Sequence, residues 1–239
     1  MATILNIESS GSACSVALSV EGSIEFNAVE REPMHQSTHL APFVAKAMEE
    51  VERKGLKIDA VAVSLGPGSY TGLRIGMSLA KGLAFGLNVP LIGVETLKLL
   101  TVTKMFSDFS LTGNEIFVPM VDARRMEVYT AAYDNALNTV MEPQALIVKP
   151  DSFDNLPADR NIWFFGDGAA KTREVIMHPR VHWADGLTPL AQNMMALSEK
   201  AFREKDFLDV AYSTPFYIKD YDAVHGVNPL KQLLDNCSC

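Results

Sequence analysis

Apolar and polar positions in the first half of the chain follow the periods of strands and helices. Short apolar or alternating runs between turn residues predict strands, and apolar residues three and four apart, such as Leu40, Val44 and Val51, predict an amphipathic helix. In chain order the predicted elements are strands at 3–8, 13–20 and 23–30, a helix within 38–54, a strand at 58–65, a helix at 70–87 and a strand at 91–94. This order predicts a mixed sheet with helices packed against it.

The second half of the chain begins the pattern again. Strands are predicted at 116–121 and 126–133 around a charged hairpin tip, and another strand at 161–165 ends in the glycine turn 166–168. A helix is predicted at 187–205. Two lobes on one plan are typical of an ancient duplication.

The length and hydrophobic content of the chain fit either one large domain or two modest lobes. It has 239 residues, of which 48% are hydrophobic, enough to bury a sizeable core. We predict an α/β fold with an N-terminal lobe at 1–100 and a C-terminal lobe at 101–239. The tail from residue 212 is expected to return toward the first lobe.

The charge of the chain argues against independent binding of nucleic acid. Its formal net charge of −8 is spread along the chain, and nucleic-acid affinity depends largely on neutralising phosphates. The sequence contains no apolar run of membrane-spanning length, and its start lacks the features of a secretory signal, so a cytoplasmic location is expected. The three cysteines, Cys14, Cys237 and Cys239, are expected to be reduced thiols.

The most informative motif is the glycine-rich loop at 64–76, between a predicted strand and a predicted helix. Gly66, Gly68, Gly72 and Gly76 lie in this short stretch. A helix N-terminus has unpaired N–H groups and a partial positive charge, so such a loop is a typical anion site, most often for phosphate. The loop indicates either a working nucleotide site or the inherited shape of one.

The helix after this loop is rich in small residues. Gly72, Gly76 and Ala80 recur every four residues, as do Gly82 and Gly86. Each interior glycine costs about 1 kcal/mol of helix stability, so a compensating contact is expected. Because glycine lacks Cβ, another backbone can come close. The pattern predicts a tightly packed helix, either inside the lobe or against a helix of a partner.

Two histidines have the spacing of metal ligands on one helical face, His35 and His39. Pro42 is expected in the first turn of the helix, which would leave both histidines in the lead-in, and no glutamate lies between them. A metal site here is therefore not favoured.

The predicted hairpin tip carries Asp122, Arg124 and Arg125. Charges at such a tip can engage a ligand or a partner, or can simply be solvated, and both interpretations stay open. Ser9 and Ser10, between the first two strands, are typical turn residues, and no spacing supports a serine nucleophile or a catalytic triad.

Several motifs taken together resemble the TsaB (YeaZ) family. They are the first strand at 4–10, the glycine loop at 66–76, the run at 80–84, the pair Val89 and Pro90, and the hairpin tip at 122–125. The similarity is strong over the N-terminal half and looser beyond it. The resemblance implies an actin/Hsp70/sugar-kinase-type fold with two lobes.

The resemblance also implies a role in making threonylcarbamoyladenosine (t6A) at the adenosine 3′ of the anticodon, in tRNAs that read codons beginning with A. It implies a non-catalytic subunit without a cofactor that binds the catalytic subunit TsaD, while the ATPase TsaE joins the assembly. Alone, the chain is expected to form a homodimer, and it would meet tRNA only through the complex. Thr96 and Leu100 stand where TsaD-like chains carry a His-x-x-x-His metal motif, so no metal is expected.

Particular residues follow from the same resemblance. The implied partner interface comprises Leu40, Phe43, Ala47, Tyr70, Gly72, Leu73, Gly76, Met77, Ala80 and Leu83. The implied vestigial phosphate contacts comprise Glu8, Ser9, Ser10, Gly66, Gly68, Ser69, Gly166 and Gly168. Glu8 stands where relatives commonly have aspartate, and its longer arm is expected to shift any phosphate or magnesium geometry.

Two other functions remain open at this point. One is an enzyme in its own right, either an ATP-dependent kinase-like protein or a metallopeptidase of the glycoprotease type, which Glu8 and the missing metal pair disfavour. The other is a simple tRNA-binding module, which the acidic charge disfavours.

Overall fold

The computed structural model describes residues 2–32 and 36–219, which contain ten strands and four α-helices. The elements are β1 (Thr3–Glu8), β2 (Cys14–Val20), β3 (Ser23–Glu30), α1 (Gln36–Arg53), β4 (Ala60–Gly66), α2 (Tyr70–Leu87), β5 (Leu91–Glu95), α3 (Thr96–Ser107), β6 (Glu115–Asp122), β7 (Glu127–Tyr133), β8 (Thr139–Ile147), β9 (Asn161–Phe165), β10 (Val181–Ala184) and α4 (Met195–Glu204). Single 3₁₀ turns lie at Ala170–Thr172 and Ala191–Met194.

Two five-stranded mixed sheets share one topology. The first has the order β3-β2-β1-β4-β5 and the second the order β10-β9-β6-β7-β8. In the first, β1 pairs antiparallel with β2 and parallel with β4, so that Leu5 faces both Leu18 and Val61. In the second, β6 pairs antiparallel with β7 and parallel with β9. The predicted α/β architecture with two mixed sheets is therefore confirmed.

The first sheet is covered on both faces. Its central strand β1 is buried along its whole length, including its polar residues Asn6 and Glu8. One face packs against α1 and α2 and buries Leu5, Ile7, Val16, Val63, Leu40, Val44, Met77 and Ala80. The opposite face packs against the 191–204 region and buries Ile4, Ala17, Ala62, Ile92, Ala191 and Met194.

Helix α3 lies between the two sheets. Its Leu99 joins the core of the first sheet, whereas Leu97 and Leu100 pack with Phe117 and Phe165 of the second. The other face of the second sheet is covered by irregular segments that contribute Phe153, Leu156, Ala169 and Ile176. The predicted lobe boundary after residue 100 falls inside α3. Helix α4 packs on the first sheet, although it follows the second sheet in the chain.

The last part of the described chain runs along the first sheet. Leu208 N donates to Leu91 O at 2.8 Å, and Phe216 N donates to Leu65 O at 2.8 Å. Lys81 Nζ, on α2, donates to the carbonyl oxygens of two further tail residues, at 2.9 and 3.0 Å. Residues 207–219 are therefore attached to the edge of the first sheet and to α2.

The start of α1 differs from the prediction that Pro42 lies in its first turn. The helix begins at Gln36, whose Nε2 donates to Gly11 O at 3.1 Å, and buried Leu40 anchors the next residues. Pro42 lies in the second turn, where packing of the apolar face offsets the hydrogen bond that proline removes. His39 is therefore helical, and His35 lies outside the described residues.

Three elements were not predicted, α3, β8 and β10, and the last helix is shorter than expected. α4 begins at Met195 instead of residue 187, because Leu190 is extended at φ −137° and ψ 143° and Pro189 precedes it. Among the described residues, no helix is both long and apolar enough to cross a lipid bilayer.

Candidate functional site

The start of α2 is packed against the loop that follows β1. Ser69 N donates to Ser10 O at 2.7 Å. A Cβ on Gly68 would lie 2.3 Å from Ser10 O, and a Cβ on Gly72 would lie 2.1 Å from Ser9 O. Glycine is needed at both positions because the backbone of the β1 loop passes where a side chain would begin.

Of the two packing alternatives for Gly72 and Gly76, the structure shows the one inside the lobe. A Cβ on Gly76 would lie 2.2 Å from Ser9 Oγ, so both glycines accommodate Ser9 of the same chain. Gly82 and Gly86 lie further along α2, and a Cβ there would meet no described atom beyond its own helix within 4 Å. Within the small-residue pattern, Gly72 and Gly76 therefore serve packing inside the lobe, whereas Gly82 and Gly86 do not.

Gly66 packs against the backbone of Phe216 in the tail. Its φ of +114° is a left-handed conformation that favours glycine, and a Cβ there would lie 2.6 Å from Phe216 O. The loop at 66–69 is thus held between the β1 loop on one side and the tail on the other.

Glu8 is fully buried at the end of β1. Its Oε1 accepts hydrogen bonds from Ser10 N and Ser10 Oγ, both at 2.5 Å, and Ser9 N donates to the nearby Ser64 Oγ at 3.3 Å. Desolvation raises the pKa of Glu8 above its ordinary value, although the hydrogen bonds from Ser10 oppose the shift. Oε1 is therefore engaged by its own loop, whereas Oε2 is buried without a hydrogen-bond partner among the described residues.

The cavity between the two lobes is nearly closed, with a volume of about 10 Å³. It is lined by Ser10, Gly11, Thr96, Leu100, Val121, Asp167, Leu187, Thr188 and Pro189. A Cβ on Gly11 would lie 3.2 Å from Pro189 Cγ, which shows how closely the segment before α4 approaches the β1 loop. The space suffices for about one water molecule.

The second glycine turn packs against the end of β6. Gly166 has φ +100°, and a Cβ there would lie 2.3 Å from Met120 O, to which Gly168 N donates at 3.0 Å. Asp167 Oδ1 accepts from Asp122 N at 2.9 Å, and burial raises the pKa of Asp167. The contacts of Gly166 and Gly168 are therefore with the protein's own backbone.

The hairpin tip has the charged residues that the sequence predicts. Asp122 Oδ1 accepts from Arg124 N at 2.8 Å and also pairs with Lys171 Nζ. Arg124 and Arg125 have φ of +70° and +50°, the left-handed conformation of a tight turn. Asp122 and Arg124 line a large groove, and Arg125 is not among its lining residues.

This groove, which we call the tip groove, has a volume of about 910 Å³ and lies between the start of α2, the hairpin tip and the tail. Its walls include Ser69, Tyr70, Arg74, Ile75, Asp122, Arg124, Glu127, Tyr129, Phe216, Tyr217 and Lys219. Sequence reasoning missed the contributions of Arg74, Tyr129 and the tail. The basic and aromatic character of the 216–219 run was the available signal.

Most of the predicted interface residues lie inside the N-terminal lobe. The buried ones are Leu40, Ala47, Gly72, Leu73, Gly76, Met77 and Ala80. They pack inside the lobe, and their place in a partner interface stays a prediction. Phe43, Tyr70 and Leu83 are only half-buried. The outward face of α2 instead presents Ser78, Gly82 and Phe85, which is 82% exposed.

His39 contacts Glu30 and Phe43 of the same chain. Its Nδ1 lies 3.4 Å from Glu30 Oε2, and its ring meets Phe43 edge-on with centroids 5.6 Å apart. In residues 2–32 and 36–219, no three His, Cys, Asp or Glu side chains are grouped as metal ligands would be.

Two five-stranded sheets of the same topology, with a closed cleft between them, define a chain of the actin/Hsp70/sugar-kinase class. The family model for TsaD, tRNA N6-adenosine threonylcarbamoyltransferase, matches residues 32–224. The chain belongs to the TsaB family of tRNA threonylcarbamoyladenosine biosynthesis proteins, within this TsaD-like group.

Individual relatives agree over nearly the whole length. The chain is 30% identical to TsaB of Bacillus subtilis and 29% identical to TsaB of Escherichia coli, in each case over 91% of this chain and 94% of the relative. The crystal structure of YeaZ from Pseudomonas aeruginosa superposes with a TM-score of 0.73 at 26% identity, over 91% of this chain and 100% of that one. Another Pseudomonas aeruginosa structure, described as similar to peptidase YeaZ, has a TM-score of 0.78 at 26% identity and covers 92% of this chain and 100% of its own.

Proposed function

We propose that this chain is a non-catalytic subunit of the assembly that makes threonylcarbamoyladenosine in tRNA, and that it acts by binding a TsaD-like catalytic subunit. Its relatives named for this biosynthesis match over almost their full length. The observation that carries the non-catalytic role is the closed cleft. A cavity of about 10 Å³ cannot hold a nucleotide, since small-molecule sites have volumes of about 300–1,000 Å³.

The residues around the closed cleft support the same role. Thr96 and Leu100, one helical turn apart on α3, are both buried and offer no imidazole or carboxylate to a metal. Leu187 and Pro189 line the cavity with apolar groups. Oε1 of Glu8 is engaged by Ser10 of its own loop.

The partner surface that we propose is the outward face of α1 and α2. On α2, Ser78 and Gly82 are exposed and small, so a partner helix can approach the backbone closely. Each is followed in the chain by a half-buried leucine, Leu79 and Leu83. The 82% exposed ring of Phe85 extends the same surface with apolar area.

The same surface would also serve a homodimer of this chain. In the absence of the catalytic subunit, two copies of the chain would pair through the same face, because a self-complementary contact is the usual form of a dimer. The TsaE-like ATPase joins the complex, and tRNA reaches the chain only within it. The assembly acts in the cytoplasm, where tRNA is modified.

Arginine substitutions on the outward face of α2 test the partner surface. Gly82→Arg and Ser78→Arg place a long charged side chain in open space, so the lobe stays folded while association is blocked. Ala196→Arg on α4 is the matched control, since it adds the same side chain to an exposed helical position elsewhere. We expect co-purification with the TsaD-like subunit to be lost for the first two variants and kept for the control. Retention by Gly82→Arg would contradict the surface.

Reconstitution of tRNA modification tests the function itself. We expect t6A, measured by mass spectrometry of digested tRNA, to form only when this chain accompanies the catalytic subunit. Asp167→Asn keeps the acceptor for Asp122 N but removes the carboxylate of the cleft, and we expect it to support the same yield. Loss of product with this variant, or ATP turnover by the isolated chain, would overturn the non-catalytic role.

A further inference from the structure

We infer that a pocket at the free edge of the first sheet binds the amino-terminal end of a short peptide, a role that goes beyond the subunit function proposed above. This pocket, which we call the edge pocket, has a volume of about 320 Å³ and lies between β5, the start of α3, the end of α4 and the tail. It shares no lining residue with the cleft between the lobes or with the tip groove, and none of its lining residues belongs to α1 or α2.

The backbone of β5 offers hydrogen-bonding groups in this pocket. Leu208 N donates to Leu91 O at 2.8 Å, so the backbone groups of Leu91 face the free edge of the sheet. Because backbone groups alternate in direction along a strand, the N–H and C=O of Gly93 face the same edge. Strand β4 pairs with the other edge of β5, and among the described residues no strand continues the pairing past Leu208 to Gly93. Gly93 therefore presents one donor and one acceptor to an extended ligand, as in strand addition to a sheet edge.

The same glycine lets apolar side chains reach the edge pocket. A Cβ on Gly93 would lie 2.5 Å from Leu65 Cδ1 and 3.0 Å from Leu208 Cδ1, so the two leucines occupy the space of the missing side chain. Val94 and Leu197 extend this apolar lining. Small-ligand sites combine such a lining with a few polar groups and have volumes of about 300–1,000 Å³. The edge pocket lies at the lower end of this range, which suits a ligand of dipeptide size.

The charges in the edge pocket favour an ammonium group. Three carboxylates and two lysines line it, and Lys98 Nζ lies 2.9 Å from Glu95 Oε1. Lys200, Glu204 and Asp206 have no ion pair among the described residues. The carboxylates are therefore in excess, and two of them remain for a cationic ligand.

The end of α4 strengthens this preference. Glu204 is the last residue of the helix, and Asp206 N donates to Ala201 O at 2.9 Å just beyond it. The helix dipole is negative at a C-terminus, so carboxylates are unfavourable there and cations are favourable. An ammonium group between Glu204 and Asp206 would relieve this repulsion.

These features together match the first residues of a peptide. The terminal ammonium group meets Glu204 and Asp206, the following amide pairs with Gly93, and an apolar side chain packs on the two leucines. Leu208 already occupies the edge at Leu91, so an added strand cannot continue in that direction. The edge pocket therefore accepts the end of a chain rather than an internal segment.

A titration of the isotope-labelled full chain, followed by NMR, tests this site. The probes are leucyl-alanine amide and its N-acetyl derivative, which differ in the ammonium group alone. We expect the first probe to shift the amide signal of Gly93 and to bind about three-fold or more tightly than the acetylated one. The variant Glu204→Gln/Asp206→Asn should weaken binding of the first probe by a similar factor, about three-fold or more.

A second double variant controls for the loss of charge. Asp154→Asn/Glu174→Gln removes two exposed carboxylates from the segments that cover the second sheet, and its affinity should equal that of the wild type. An equal loss in this control, equal binding of the two probes, or an unshifted Gly93 signal at about 10 mM probe would overturn the site. Co-purification with the TsaD-like subunit depends on other residues, so the subunit role is tested separately.

Discussion

Gly72 lies directly against Ser9: a Cβ on Gly72 would stand 2.1 Å from the Ser9 carbonyl oxygen. Together with the Ser69 N to Ser10 O hydrogen bond, this contact fixes the start of α2 on the end of β1. The cost of glycine inside a helix is thereby offset by packing within the lobe. The same contact holds the first turn of α2, and with it Arg74, at the wall of the tip groove.

Alanine at position 72 should destabilise the protein, and alanine at position 82 should not. We expect Gly72→Ala to lower the free energy of unfolding by about 1–3 kcal/mol, because the new Cβ meets backbone that cannot move aside. Gly82→Ala adds its Cβ in open space on the same helix and should raise the free energy of unfolding by about 0.5–1 kcal/mol. Urea denaturation followed by circular dichroism measures both, and equal changes at the two positions would contradict the packing described.

The buried carboxyl group of Glu8 should make stability fall as pH rises. Its pKa is raised in the folded state, so between the unfolded value of about 4.5 and the folded value the folded chain binds more protons than the unfolded one. The stability that this group contributes is therefore complete below about pH 4.5 and is lost as pH rises through the folded pKa.

The Glu8→Gln variant isolates this effect. Glutamine keeps an acceptor for Ser10 and is uncharged at every pH, so the difference between the two proteins cancels other titrating groups such as Asp167. We expect wild-type stability in urea to fall relative to the variant as pH rises above about 4.5. A difference that does not change with pH would show that the pKa of Glu8 is not raised.

Cys14 should be unreactive in the folded protein. It is buried in the core of the first sheet, and desolvation raises the pKa of its thiol to about 11. Only about one molecule in a thousand then carries the reactive thiolate at pH 8. In a Cys237→Ser/Cys239→Ser double variant, we expect Ellman's reagent to detect no fast thiol in native buffer and one in urea. Fast labelling in native buffer would contradict the burial of Cys14.

Lys81 should hold the tail on α2. Its Nζ donates to Ala211 O and Ser213 O, and loss of these half-exposed bonds should cost about 1 kcal/mol of local stability. We expect Lys81→Met to speed proteolysis within residues 207–219 about five-fold. Lys46→Met, at an exposed position of α1, is the matched control and should leave the rate unchanged. Equal rates for both variants would show that Lys81 does not hold the tail.

Elements with strong local signals were predicted closely, and weaker ones were missed. The helix predicted at 70–87 is observed at Tyr70–Leu87, because Ser69 caps its start and Asn88 ends it in the left-handed conformation. α3 was missed because it is apolar on both sides and also buries polar residues: Thr101 Oγ1 donates back to Leu97 O at 2.9 Å. Such a helix, packed between two sheets, has no clear amphipathic period.

The sequence identified several residues of the candidate site correctly, but it did not show where those residues lie relative to one another in three dimensions. Glycine at 66 and 68 and the charges at 122 and 124 were identified from local pattern. The sequence did not decide between an inward and an outward placement of Gly72, because spacing along a helix does not reveal which neighbour the face meets. The tip groove was missed for a similar reason: Arg74 and Tyr217 are 143 positions apart and meet only when the tail returns to α2.

Residue order alone establishes the family, the two-lobed α/β plan and most of the strands, because turn residues and hydrophobic periods act over a few neighbours. Three-dimensional packing establishes that the cleft between the lobes is closed, that Gly72 and Gly76 accommodate Ser9, and that a basic groove lies at the hairpin tip. These features depend on contacts between distant parts of the chain, which local spacing does not encode, because their geometry arises only when both sheets and the tail are assembled.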